Sequence, residues 1–231
     1  MRAVLALVAL LCAPAMAAAQ LTGNVSLLSD YRFRGESLTE GRPALQASLN
    51  YDHSSGLFAG GLVSNVRIDP DVIGLGAQVY GGYAHHISEQ AALDVGVVTY
   101  VFPQPSSGPT YNYTEAFIGG SYDMLNSRLY YTTSYFGGGP GTYVELNASR
   151  PLTDHISIVG HVGYLYLSEP REPGAGMQQN GTVDFLAGVT AEVQGFTFGL
   201  SIVGTNAPQD ACPATTGRCS TTVVVSVSHN F

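Results

Sequence analysis

The chain contains no lysine and no tryptophan, and charged residues of either sign make up only 11% of its 231 positions. An ordinary soluble domain carries roughly a quarter. A surface this poor in charge does not suit a cytosolic protein, which covers itself with Lys and Glu. The basic residues are nine arginines against 17 acids, a formal balance of −8, and they form no basic run. This excludes nucleic acid as the expected partner. Disorder is excluded by the apolar fraction of 45%. Beyond the N-terminus no apolar stretch reaches the eighteen or so residues of a membrane helix. A chain both apolar and nearly uncharged, without such a helix, points to a β-barrel in a membrane.

The N-terminus reads as an export signal. Arg2 is followed by the apolar run Ala3–Cys12 and then by the small-residue region Pro14–Ala19. Cleavage is expected after Ala19, with the Ala15-Met16-Ala17 frame as the alternative, so the domain is expected over residues 20–231. Export leads to an oxidising compartment, so Cys212 and Cys219 are expected to pair and staple a loop.

From Leu21 onward the dominant pattern is period two. Leu21, Val25, Leu27, Tyr31 and Phe33 alternate with Thr22, Asn24, Ser26, Asp30, Arg32 and Arg34. The pattern returns at Leu45–Asp52 and again at Val223–Ser228. Turn signals divide the chain into about twelve strands, near 21–34, 43–53, 57–68, 74–84, 91–102, 111–122, 127–136, 142–150, 155–167, 181–192, 195–205 and 220–231. Short connections alternate with longer ones rich in Pro and Gly, the pattern of an all-β, transmembrane, antiparallel up-and-down barrel of the bacterial outer membrane. Aromatics on the apolar face fall at the two strand ends. Tyr51, Tyr83, Tyr122 and Phe231 mark the short-turn rim; Tyr31, Phe33, Tyr164, Tyr166 and Phe185 mark the long-loop rim, where lipid headgroups are expected. The closing strand stops on Phe231, which resembles the signal read by the barrel assembly machinery. The acid-rich loops are expected to face lipopolysaccharide.

The segment Ser29-Asp30-Tyr31-Arg32-Phe33-Arg34-Gly35-Glu36-Ser37-Leu38-Thr39, with Pro43-Ala44-Leu45-Gln46 and the later Ser64-Asn65-Val66, resembles the opening signature of the TorF family of porins. The resemblance implies an exported proteobacterial barrel, and transport without identifying the cargo.

Alternation turns Asp30, Arg32, Arg34 and Arg67 towards one arc of the lumen and Glu115, Glu145 and Asp184 towards another, all near the long loops. Two readings follow. Opposed arcs create a field across a constriction that filters small hydrophilic solutes; or the charges pair and hold a narrow barrel closed, leaving the loops to act as a structural or interaction surface. An enzyme is not expected: no Gly-x-Ser-x-Gly sequence occurs, and His161, the one mid-strand histidine, faces the lumen. No catalytic set, metal site or cofactor motif is expected either.

Overall fold

The computed structural model describes residues 20–69, 72–105, 110–171, 179–207 and 219–231. The expected export segment and Cys212 lie outside these. Twelve long strands form one closed antiparallel barrel. They are β1 (Gln20–Leu28), β4 (Ala44–Asp52), β5 (Leu57–Asp69), β6 (Val72–His86), β7 (Ala91–Val101), β8 (Tyr113–Tyr122), β9 (Leu125–Thr132), β10 (Gly141–Pro151), β11 (Ile156–Arg171), β12 (Gln179–Val193), β13 (Phe196–Thr205) and β14 (Thr222–Asn230). The two short strands between β1 and β4, β2 (Arg32–Phe33) and β3 (Glu36–Ser37), pair only with each other. Each wall strand pairs with its neighbour in sequence, and β1 closes the ring by pairing with both β4 and β14. Closure removes every free sheet edge.

The period-two pattern does what the sequence predicts. Leu21, Leu45, Leu75, Val95, Leu200 and Val223 point outward, each more than half exposed. Residues of the opposite parity, such as Gln46, Ser64, Glu115 and Asp184, are buried inside. An outer face of this kind requires lipid or detergent to cover it. Tyr51, Tyr83, Tyr122 and Phe231 stand exposed at one rim and Tyr164, Tyr166 and Phe185 at the other. Tight turns carry left-handed residues where the two-residue geometry demands them, as at Gln194 (φ 52°) and Gly195 (φ 82°) between β12 and β13.

Two strands are shorter than the alternation predicts. The pattern extends the first to Arg34, but the wall ends at Leu28 and the chain turns into the barrel as the small β2–β3 hairpin. The cause is Asp30, whose carboxylate accepts from Ser37 Oγ at 2.5 Å and Thr39 Oγ1 at 2.9 Å and so folds the segment back on itself. A hairpin is itself period two, which is why the alternation continues unbroken through it. Tyr31 and Phe33 therefore pack against the interior cluster and not in the lipid belt. Likewise the strand that the pattern carries to residue 136 ends at Thr132, and a 3₁₀ turn at Tyr135–Gly137 carries Tyr135 and Phe136 into the lumen.

The outer face makes a direct prediction. Leu200→Arg, in the middle of β13, should lower the unfolding free energy by about 2–4 kcal/mol in lipid vesicles, read from urea titration of the reconstituted protein.

A hairpin plug and the charged lumen

Within the barrel the hairpin reaches nearly all the way across. On one side Arg67 N donates to Leu38 O (2.7 Å) and Gln78 Nε2 to the Tyr31 hydroxyl (2.8 Å). On the far side Gly35 lies against β12 and β13: a Cβ there would stand 2.7 Å from Gly204 O, 2.8 Å from Thr205 Cβ and 2.9 Å from Asp184 Cβ. Arg34 (φ 49°) and Gly35 (φ 78°) are the two central residues of the turn, both left-handed as a type I′ hairpin requires. Glycine is needed at 35 for space as well as for φ.

Arg34 sits at the tip. Its Nη2 meets Glu115 Oε2 at 2.6 Å, with the two side chains 6% and 1% exposed. The Tyr100 hydroxyl donates to the same oxygen. The guanidinium carbon lies 3.9 Å from the centre of the Tyr143 ring, 5.0 Å from Phe33, 5.2 Å from Tyr135 and 5.7 Å from Tyr130. Desolvating two charges costs several kcal/mol for each ion. The short pair and a desolvated cation–π contact, worth about 2 kcal/mol, offset it. Among the described residues, Arg34 Nη1 and the Tyr113 hydroxyl are buried with no hydrogen-bond partner.

The other expected lumen residues also find partners. Arg32 Nε lies 2.5 Å from Asp30 Oδ2, while its Nη1 donates to Gly35 O and Ser220 O. Arg67 lies 3.5 Å from Glu40. Asp184, 3% exposed, accepts from the Tyr143 hydroxyl and lies 2.7 Å from His161 Nε2, whose Nδ1 faces Asn147 Oδ1 at 2.7 Å. The Glu145 carboxylate, among the described residues, accepts only from the Tyr130 hydroxyl, at 3.1 Å. The two charge arcs that alternation places on opposite sides therefore meet at Arg34–Glu115, because the arginine is carried by the hairpin and not by the wall. Sequence reasoning missed the rings around it. The signal was present: in β8, Tyr113 and Phe117 share the face of Glu115, aromatics where a lumen wall should be polar. Arg128, paired with Asp94 at 2.8 Å, was also missed. Cys219 is buried and disulfide-bonded.

Below the hairpin the lumen opens. A cavity of about 730 Å³ runs from Phe33 and Arg34 past Tyr143, Glu145 and His161 to Met124 in the β8–β9 turn. A second, of about 580 Å³, holds Asp52, His86, Asp94 and Arg128, and the two share Gln78, Tyr100, Asn126 and Tyr130. The long-loop half is instead filled by an apolar cluster including Leu38, Ile68, Val72, Phe102, Tyr113 and Leu167.

A closed twelve-stranded barrel, apolar outside and partly polar inside, has the porin fold. Residues 13–231 match, and the chain belongs to, the family described as a bacterial protein of unknown function (Gcw_chp). The NanC porin is similar in structure at a TM-score of 0.58 and 11% identity, over 92% of this chain and 99% of that one. The KdgM porin is similar at 0.57 and 11%, over 91% and 99%. KdgM in complex with disordered oligogalacturonate is similar at 0.55 and 10%, over 91% and 98%. No curated protein matches the chain in sequence.

The buried pair carries its own prediction. Arg34→Ala leaves the Glu115 carboxylate buried without its cation and should cost about 3–5 kcal/mol of stability. The double variant with Glu115→Gln should recover much of that loss, measured by thermal unfolding of both proteins in the same detergent.

Proposed function

We propose that the protein is a channel of the bacterial outer membrane, exported by its N-terminal segment, that passes small hydrophilic solutes through a path constricted by the β2–β3 hairpin. The observation that supports this best is the partly polar cavity reaching from Met124 at the short-turn end up to Arg34 inside an apolar-coated barrel. In this reading Asp30, Arg32, Arg34, Arg67, Glu115, Glu145 and Asp184 form the narrow zone. Apart from Glu145, the charges there lie against partners of opposite sign or hydrogen-bond donors, so they offer alternating donors and acceptors to a hydrated solute. The surroundings are outer-membrane lipid and lipopolysaccharide, Phe231 is the element read by the barrel assembly machinery, and Cys212 is the partner of Cys219. The similarity to porins supports the same kind of role, and the TorF resemblance of the hairpin segment agrees with it. KdgM has been solved with oligogalacturonate, a polyanion. Here Arg32, Arg34, Arg67 and Arg128 each lie against a carboxylate, so among the described residues of the narrow zone and the cavities such a solute would meet no row of unpaired arginines.

A second reading, a closed barrel acting through its loops, draws on the apolar cluster that fills the long-loop half. Single-channel recording of the purified protein in a planar bilayer decides between the two. The channel reading expects discrete conductance steps in the wild type. It expects larger steps in Gly35→Ala, whose Cβ would push the hairpin off β12 and β13. A folded barrel that stays silent in both forms overturns the channel and leaves the closed barrel.

A further inference from the structure

The lumen charges do not cancel completely, and the remainder has a location. Arg32, Arg34 and Arg128 are each neutralised at contact distance, by Asp30, Glu115 and Asp94. Asp184 is held by His161 and Tyr143. Glu145 differs. It stands directly across from Arg128 in the β9–β10 register, yet Arg128 turns away to Asp94, in β7. Among the described residues no arginine or histidine forms an ion pair with the Glu145 carboxylate, whose one bond comes from the Tyr130 hydroxyl. It is half-buried and lines the larger cavity. Beside it the same wall already holds one cation, since Tyr130 and Tyr143, the residues flanking Glu145 across and along the sheet, are two of the rings around the Arg34 guanidinium. The second cavity adds Asp52, exposed at the short-turn mouth.

Resting on the channel reading above, we infer that the path prefers cations, small inorganic ones and protonated amines, over anions, and that Glu145 is the residue that sets the preference. Among the described residues its carboxylate has no ion-pair partner, and it offers that charge partway along the path. A unit charge about 5 Å from an ion in water changes the local concentration of that ion about fourfold. The effect is largest at low ionic strength, where screening is weak.

The test pairs two measurements on the wild type and Glu145→Gln, with Glu89→Gln in the exposed β6–β7 turn as a control. The amide oxygen introduced by E145Q can still accept from Tyr130, so the variant keeps its one contact. The first measurement is the reversal potential across a potassium chloride gradient near 0.1 M. A cation-to-anion permeability ratio of about five in the wild type, the combined effect of cation enrichment and anion depletion after screening at 0.1 M, falling towards one in E145Q and unchanged in E89Q, is the expected result. The second is collisional quenching of tyrosine fluorescence by caesium and by iodide on the same protein in detergent, which requires no conduction. With each quencher scaled to its effect on free tyrosine, caesium quenching should exceed iodide quenching, and E145Q, unlike E89Q, should reduce the excess. A conducting barrel with equal or anion preference overturns this inference and leaves the channel standing. A silent barrel that still favours caesium through Glu145 overturns the channel and upholds the charge assignment. A silent barrel with no such difference overturns both.

Discussion

The interior is organised around a guanidinium that has been taken out of water. Arg34 is held at 2.6 Å from Glu115 and enclosed by aromatic rings, and the β2–β3 hairpin is what brings it there. The turn must place two residues at positive φ, Asp30 must gather Ser37 and Thr39 to fold the segment back, and Gly35 must be small enough to rest on β12 and β13. Once in place, the ion pair is worth keeping only as a pair, because either charge alone in that site is strongly unfavourable. This makes the hairpin a single unit, in or out, and not a loosely attached loop.

The absence of lysine acquires a reason in this setting. A planar guanidinium can lie flat over the Tyr143 ring while its edge meets a carboxylate; a compact ammonium is a strongly hydrated point charge and cannot do both. Arg32 uses the same multiplicity of donors, binding Asp30, Gly35 and Ser220 together, and so ties the hairpin to the segment before β14.

Twelve strands enclose more space than wall side chains alone can fill. The chain solves this asymmetrically. At the long-loop end the hairpin and the 3₁₀ turn bring Phe33, Tyr135 and Phe136 into the lumen, where Phe136 stacks on Phe102 while Phe33 and Tyr135 meet Tyr100 and Tyr113 edge to face. At the short-turn end, among the described residues, nothing is inserted, and the cavities remain lined by Gln78, Asn126 and the charged groups. The packed half and the half with cavities thus share one barrel but differ in what fills them.

How much of this could be read from the residues follows from the range of the forces involved. Alternation is local, set by the pleat of a strand, so the wall strands and the outward faces of Leu21, Leu45 and Val223 were legible by inspection, and so was the lumen-facing parity of Glu115, Glu145 and Asp184. The strand ends at Leu28 and Thr132 were not, because a hairpin turned inward keeps the same period as a strand that continues, and only contacts from Arg67, Gln78 and Glu115, all distant in sequence, decide between them. For the same reason Tyr31 and Phe33 read as a lipid belt while the fold makes them part of the plug. Which acid each arginine meets, and therefore which carboxylate is left over, depends on where strands far apart in the chain come together around the barrel. The sequence by itself determined a closed, lipid-coated barrel with a polar inner face, since those are consequences of period and composition. Tertiary structure alone decided that Arg34 reaches Glu115 and that Glu145 is left without a cation, since ion pairs are settled by distances that no local pattern encodes.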